Sequence, residues 1–191
     1  MWKKLAIVSA VLTGMMTTVS IVPAQPATQP VGQAEPSPLG ALHVAQYPAN
    51  RFVYIESQTR LAELGQTIGT LMPQLVDASD RGQIKADGPI LFVYVGMQDM
   101  SAPFTLQVGR IVPAETPAPA GFKVRDLEGG KCATALFTGS YMRMPQAWGE
   151  FMQHAMGEAG LQPAGDMREM YLYHESPESE NNVTMLMMPV K

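Results

Sequence analysis

A single carboxylate flanked by tyrosines is the feature of this chain with the clearest chemical potential. It lies in segment 166–174, DMREMYLYH, whose Met, Tyr and Leu residues are typical of a β-strand. Because successive side chains of a strand point to opposite faces, Glu169 shares one face with Tyr171 and Tyr173. Two arrangements fit this pattern: the solvated face of an antiparallel sheet, and an aromatic pocket that shelters one acid.

An acid sheltered by aromatic rings is suited to binding an organic cation. A cation that leaves water needs a counter-charge, and a carboxylate attracts it far more strongly in an apolar site than in water. Ring faces add an attraction of about 0.5–2 kcal/mol. In an empty, dry pocket the acid would tend to take up a proton. The chain's 15 methionines would suit an adaptable wall, although most methionines only fill protein cores.

The first fifty residues predict an export signal followed by a tether, rather than part of the folded domain. Residues 1–24 combine a basic start, an apolar run from Leu5 to Val22 and small residues around Ala24, which is the pattern of a signal peptide. An uncleaved membrane anchor is the alternative. Residues 25–50, rich in Pro, Gln and Ala, predict a disordered tether. We therefore expect an exported protein, periplasmic or extracellular, whose folded domain spans residues 51–191.

The elements that must position Glu169 occur twice. Each set reads strand, helix, strand, strand, with an offset near eighty residues: 51–59, 60–82, 88–96 and 104–113, then 131–139, 145–160, 167–174 and 182–190. A short strand and turn at 122–130 precedes the second set. The order predicts an α+β fold of two pseudo-symmetric βαββ repeats, about 51–113 and 122–190, which form one domain with a central ligand cleft.

Composition and motifs argue against several other classes of protein. The formal net charge is −4, and the loss of Lys3 and Lys4 with a leader would make it −6, which is unsuited to nucleic acid. Cys132, the only cysteine, lies in an apolar run that predicts a buried, inert thiol. His154 and Glu158 are one helical turn apart, a spacing more typical of a solvated face than of a metal site. No metal and no cofactor is predicted.

Three motifs in the second half carry a resemblance. They are GKCAT at 130–134, TGSY at 138–141 followed by Trp148, and REMYL at 168–172. Together with the surrounding strands they resemble the GyrI-like small-molecule-binding domain, which also serves as the effector-binding domain of bacterial multidrug-responsive transcription activators. The resemblance covers about residues 51–191. It implies two βαββ repeats around a cleft into which Glu169 reaches among aromatic side chains.

The resemblance and the residues together predict a binding protein. The expected partner is a small lipophilic or cationic organic molecule, bound outside the cytoplasm by Glu169, Tyr171, Trp148, Tyr141 and Tyr94. Tyr94 is included because the first repeat could mirror the second, as could Tyr54 and Phe92. The proline-rich start does not suit a DNA-binding domain, so a transcription activator is not expected. Export would separate the protein from cytoplasmic gyrase, so gyrase inhibition is not expected either. Contact with a membrane is expected only through an uncleaved leader, and no oligomeric state is predicted.

A hydrolase is the alternative function. Some members of the family are implied to open strained, electrophilic rings with a glutamate and aromatic residues. Here Glu169 would activate a water and Tyr141 would be the second polar group. A second polar group within reach of Glu169 would favour the enzyme over the binding protein, and Tyr141 is the best candidate for that group. The related haem-binding version of the fold is a distant third option, because no axial ligand can be nominated.

Overall fold

Eight strands and two helices form the described part of the chain. The computed structural model describes residues 37–86, 88–97, 99 and 101–191; the predicted signal peptide and residues 25–36 of the predicted tether lie outside them. The strands are β1 His43–Tyr47, β2 Asn50–Thr59, β3 Ile90–Val95, β4 Phe104–Val112, β5 Lys123–Leu127, β6 Gly130–Thr138, β7 Met167–Tyr173 and β8 Val183–Pro189. The helices are α1 Leu64–Asp80 and α2 Met144–Met152.

Both helices begin and end as their sequences suggest. A 3₁₀ turn leads into each, Leu61–Glu63 before α1 and Tyr141–Arg143 before α2. A π-helical turn, Gln153–Glu158, extends α2, and Gly160 then adopts φ +65°, a left-handed conformation that suits glycine. Pro73 lies inside α1, yet the helix continues through it to Asp80. Neither of these described helices has the length and apolar character needed to cross a membrane.

The strands form one antiparallel sheet in which the two repeats exchange their outer strands. The order is β1-β6-β8-β7-β3-β4-β2-β5. The repeats are β2-α1-β3-β4 and β6-α2-β7-β8, and they meet where β7 pairs with β3. β1 precedes the first repeat but pairs with β6 of the second, whereas β5 precedes the second and pairs with β2 of the first. The predicted α+β fold of two βαββ repeats is confirmed, and the β3–β7 pair joins them into one sheet.

The predicted tether is wrong for its last part. Residues 43–47 form β1, which pairs with β6 from His43 opposite Thr134 to Tyr47 opposite Gly130. Leu39 and Leu42, just before it, pack against the core beneath α2. The folded domain therefore begins before residue 51. Composition did not reveal β1 because an edge strand is held largely by backbone hydrogen bonds, which any non-proline residue can make.

Both helices cover the same face of the sheet, called here the helix face. α1 packs on a core that includes Val53, Phe104 and Leu106, and α2 packs on a second core that includes Phe137 and Leu186. β7 and β3, the central strands, lie at the seam between these two cores. A side chain on the helix face of β7 is therefore sheltered from two sides.

The pairing registers relate the two repeats residue by residue. When the turns that precede the helices are matched, the registers place Tyr94 in the position of Tyr171 and Phe92 in the position of Glu169. Phe92 and Glu169 are also direct partners across the β3–β7 pair. The pseudo-twofold axis thus passes between them. The seam carries one acid, because its counterpart in the first repeat is phenylalanine.

The opposite face, called here the helix-free face, is covered by the curl of the sheet itself. Phe52, Leu91 and Val93 project from it and are at most 1% exposed, although both helices lie on the other side. Arg125 of the outer strand β5 reaches Asp166, just before β7, with 3.6 Å between Nη2 and Oδ2. Three strands separate β5 from β7 in the sheet order, so this contact requires the sheet to curl toward the helix-free face.

Candidate ligand-binding site

Glu169 is buried at the seam between the repeats. Its side chain is on the helix face of β7, opposite Phe92 on β3 and Leu186 on β8, and the residue is only 3% exposed. Two donors hold its carboxylate: Trp148 Nε1 lies 2.6 Å from Oε1, and the Tyr171 hydroxyl lies 2.5 Å from Oε2. The solvated-face alternative is therefore wrong for Glu169.

Aromatic rings from both repeats surround this carboxylate. Tyr171 lies two residues further along the same strand, and its ring meets Phe92 with 4.6 Å between centroids. Trp148 comes from α2 and meets the edge of Tyr94 at 6.4 Å. The structure thus brings together four predicted site residues, Glu169, Tyr171, Trp148 and Tyr94. Phe92 completes the group, as pseudo-symmetry suggested.

Burial dominates the electrostatics of the site. It raises the pKa of Glu169 above its ordinary value, while the hydrogen bonds from Tyr171 and Trp148 and the nearby Tyr94 hydroxyl act in the opposite direction. Burial and the neighbouring Glu169 also raise the pKa values of Tyr94 and Tyr171 well above their ordinary range. Both phenols therefore stay protonated, as donors to the carboxylate, at every physiological pH. Trp148 and Tyr171 are neutral, so their contacts leave the charge of an ionised Glu169 unbalanced.

Tyr141 lies at the rim of the ring cluster, not on the carboxylate. Its ring meets Tyr171 edge-on at 5.6 Å, and its hydroxyl is 3.1 Å from Nδ1 of His174. Burial raises the pKa of Tyr141 to about 12. The hydroxyl beside Glu169 is that of Tyr171, so the contact that would have favoured a hydrolase is made by a different tyrosine. His174 was not predicted here, because its stacking on Tyr141 depends on a loop rather than on a periodic pattern.

Two other tyrosines lie away from the carboxylate. Tyr54 projects from the helix-free face, where it stacks on Phe52 with 5.2 Å between centroids. The alternation of β7 places Tyr173 beside Tyr171, but the register with β8 shifts between these residues, and Tyr173 is 54% exposed. This bulge removes Tyr173 from the pocket face that simple alternation assigned to it.

The predicted cleft is closed at Glu169. Two depressions of the described surface lie elsewhere. One, of about 470 Å³, is beside Arg51 and Asp126, and the other, of about 220 Å³, is beside Ser57 and Thr70. Around the carboxylate, the space is filled by its own aromatic neighbours. Trp148 is half-buried, which makes its indole the partly exposed cover over a buried acid.

The remaining candidate residues form no metal site. Across the described ranges, no three His, Cys, Asp or Glu side chains converge in a way that could hold a metal ion. His154 Nε2 lies 3.9 Å from a carboxylate oxygen of Glu158, on the π-helical turn that extends α2, and both side chains are partly exposed. Cys132 is buried, and burial raises the pKa of its thiol to about 11, which agrees with an unreactive core residue.

Comparison with known proteins identifies the family. The GyrI-like small molecule binding domain matches residues 41–191. The chain belongs to this family. The match begins just before β1, in agreement with the fold, so the GyrI-like domain includes part of the segment predicted as tether. No curated protein is similar enough to the chain to count as a match.

Solved structures share the fold of this GyrI-like domain at low sequence identity. SAV2435 bound to tetraphenylphosphonium has a TM-score of 0.62 and 16% identity, over 79% of this chain and 94% of that one. The C-terminal domain of EcmrR has a TM-score of 0.65 and 11% identity, over 79% and 97%. The integron cassette protein VCH_CASS2 of Vibrio cholerae has a TM-score of 0.57 and 15% identity, over 80% and 99%.

Proposed function

We propose that this GyrI-like domain binds lipophilic organic cations at the seam between its repeats, with Glu169 as the counter-charge. The observation that carries the proposal is a carboxylate, 3% exposed, whose hydrogen-bond donors, Trp148, Tyr171 and Tyr94, are all neutral. A cation bound beside Glu169 would supply the missing positive charge in an apolar environment, where opposite charges attract each other most strongly. The tetraphenylphosphonium bound to SAV2435, a protein of the same fold, supports this ligand class.

Binding requires the closed site to open, and Trp148 is the side chain that must move. Its indole covers the acid and donates to Oε1, so a ligand that contacts the carboxylate has to displace or share that hydrogen bond. Once displaced, Trp148 can offer its ring face to the cation, as can Tyr171 and Tyr94. Tyr141 would then line the outer wall through its contact with Tyr171. Rings and one charge define no narrow shape, which favours a loose selectivity.

Tetraphenylphosphonium and a neutral aromatic of similar size, triphenylphosphine oxide, test the charge role. We expect the full chain to bind both in calorimetric titration. Glu169→Gln should weaken the cation at least tenfold and the neutral ligand less than threefold. Glu158→Gln, which removes an exposed carboxylate at the end of α2, is the control of matched charge and should leave both affinities unchanged. Equal losses for the two ligands would refute the counter-charge, and no binding of either would refute the function.

The place of binding is a second part of the proposal. The basic start, apolar run and small residues of segment 1–24 support export of the domain, so that ligands are captured outside the cytoplasm. Expression of the full chain in a two-membrane bacterium, followed by fractionation and intact mass measurement, tests this. We expect periplasmic protein shortened near residue 24. Full-length protein in the cytoplasm would contradict export, and full-length protein in the membrane would support the anchor.

The hydrolase with Glu169 and Tyr141 remains a prediction that the geometry supports less well. The Tyr141 hydroxyl bonds to His174, and the donor on Oε2 of Glu169 is Tyr171. Turnover of a lipophilic strained-ring electrophile by the wild-type chain, abolished in Glu169→Gln, would establish catalysis. If Tyr171→Phe abolished it as well and Tyr141→Phe did not, the second polar group would be Tyr171.

A further inference from the structure

Arg168 and Glu169 are neighbours in sequence but project from opposite faces of the sheet. Arg168 lies between Val93 on β3 and Met187 on β8, both at most 3% exposed, on the helix-free face. Its stem is therefore enclosed by apolar side chains. Burial lowers the pKa of its guanidinium, which nevertheless stays charged at physiological pH because the ordinary pKa of arginine is so high.

A second arginine converges on the same place. Arg125, on the outer strand β5, crosses the curled sheet to Asp166 and lies over the Tyr54 ring, 5.9 Å from its centroid. Its charge repels that of Arg168 strongly enough to contribute to the lowered pKa of Arg168. The Nε atoms of both arginines are buried and make no hydrogen bond within the described residues. Buried donors of this kind normally have a partner.

The acidic groups nearby do not balance these two charges. Asp166 pairs with Arg125 and also accepts a hydrogen bond from the backbone N–H of Gly96. Glu128 acts on Arg168 as well, but more weakly than Asp166, and its side chain is exposed to solvent. The buried thiol of Cys132 is neutral. Glu56 of β2 lies on this face too; its hydrogen bond to Lys123, 2.6 Å long, and more weakly the charge of Arg125 lower its pKa. Because Glu56 is paired with Lys123 and Asp166 with Arg125, the charge of Arg168 remains in excess.

An apolar strip continues from Arg168 along the same face. Met170, two residues further along β7, is half-buried and pairs with Met185 of β8, which in turn pairs with Leu136 of β6. Leu136 is 44% exposed. The Tyr47 hydroxyl of β1 reaches Sδ of Met185 at 3.5 Å and borders the strip. Flexible methionines beside a positive charge form a surface complementary to an amphipathic anion.

We propose that the helix-free face binds an organic anion, with its carboxylate or sulfonate between Arg125 and Arg168 and its apolar part on Met170, Met185 and Leu136. This site is separate from the proposed cation site and has the opposite charge preference. The two share β7, which presents Glu169 to one and Arg168 to the other. Charge complementarity and the unpaired Nε donors select the anion over a neutral lipid.

1-Octanesulfonate is the probe, because it pairs a sulfonate with a short alkyl chain. In the full chain with ¹³C-methyl-labelled methionine, we expect saturable shifts of the Met170 and Met185 resonances. Octyltrimethylammonium, with the same tail and the opposite charge, should not shift them at the same concentration. The proposal would be wrong if both surfactants shifted the Met170 and Met185 resonances alike, or if octanesulfonate shifted only the resonances of other methionines. Neither result requires a substitution in the protein.

Substitutions then test the head group. Arg168→Gln and Arg125→Gln should each weaken octanesulfonate at least fivefold in calorimetry, and Arg168→Lys should retain part of the affinity. Arg81→Gln, on the exposed end of α1, is the control of matched charge and should have no effect. Tetraphenylphosphonium affinity should not fall in the arginine variants. If octanesulfonate bound equally well to Arg168→Gln and Arg125→Gln, or if its binding depended on Glu169, the anion site would be refuted. The proposed cation function would not be affected by either result.

Discussion

The indole N–H of Trp148 on α2 and Oε1 of Glu169 on β7 are joined by a hydrogen bond of 2.6 Å. This bond fastens a surface helix to the central strand of the sheet, directly over the buried acid. It therefore connects the position of α2 with the electrostatics of the seam, and any ligand of Glu169 has to compete with it.

Replacing Trp148 by Phe should loosen the cover while keeping an aromatic wall. A net hydrogen bond to a charged group contributes about 1.5–3 kcal/mol, and part of this would no longer oppose ligand entry. We expect tetraphenylphosphonium to bind Trp148→Phe about three- to tenfold more tightly than wild type, measured by calorimetry. Trp148→Ala, which also loses the ring, is the matched control and should bind more weakly. A marked loss of affinity in Trp148→Phe would mean that the N–H is needed in the complex.

Cation binding should depend on pH through Glu169. Burial raises its pKa, and only the ionised form supplies the counter-charge, so affinity should increase as pH rises through that raised value and level off above it. Tyr171→Phe removes the donor on Oε2, raises the pKa further and should move the profile to higher pH. Tyr141→Phe, whose hydroxyl bonds to His174, should leave the profile in place. Affinity that does not change with pH would exclude titration of Glu169.

Ionisation of Glu169 should also change the stability of the ligand-free protein. Rising pH should lower this stability, whereas it raises the affinity for a cation. Since the folded pKa of Glu169 is above its ordinary value of 4.5, the unfolded chain loses the proton first, and wild type loses stability as pH rises through this interval. Relative to wild type, Glu169→Gln should therefore gain stability between pH 4 and pH 7, by about 1.4 kcal/mol per unit of pKa shift. Urea unfolding at the two pH values measures this.

Two further observations constrain that experiment. Glu158→Gln, at the exposed end of α2, serves as the control and should show no such gain. If instead wild type gained stability over Glu169→Gln on going to pH 7, the hydrogen bonds from Trp148 and Tyr171 would outweigh burial, and the folded pKa would lie below the ordinary one.

Removing β1 should destabilise the domain. A chain that begins at Arg51 lacks the backbone pairing of residues 43–47 with β6 and the packing of Leu39 and Leu42 beneath α2. Burial of each leucine contributes about 1.5–3 kcal/mol when complete, so a loss of about 2–5 kcal/mol is reasonable for two partly buried residues and a strand. Urea unfolding against a chain that begins at Ser37 measures it. Equal stabilities would show that β1 is dispensable.

Much of the fold followed from local patterns. Strand alternation assigned Glu169 and Tyr171 to one face and Arg168 to the other, and the three- and four-residue spacing of apolar side chains located both helices to within a few residues. The repeated order of elements indicated the βαββ duplication, and with it Tyr94 as a counterpart of the second-half aromatics. These features depend on periods of two and 3.6 residues, which a chain carries in its sequence.

Where a strand is apolar on both faces, its sequence does not show which side chains point to which face of the sheet. Tyr54 lies in FVYI, where neighbouring positions of either parity are apolar, and only its packing on Phe52 places it on the helix-free face. β1 was missed for a related reason, because its pairing with β6 uses backbone groups that leave little trace in composition. The bulge that turns Tyr173 outward is likewise a property of its register with β8.

The sequence alone determined that one acid alternates with tyrosines on a strand, and that such a strand occurs in the second of two similar units. Tertiary structure decided whether that acid is wet or dry, which groups hold it, and that its counterpart across the pseudo-twofold axis is Phe92. The reason is physical: side-chain alternation is a property of one strand, whereas burial, register and the docking of Trp148 from α2 depend on segments far apart in the chain.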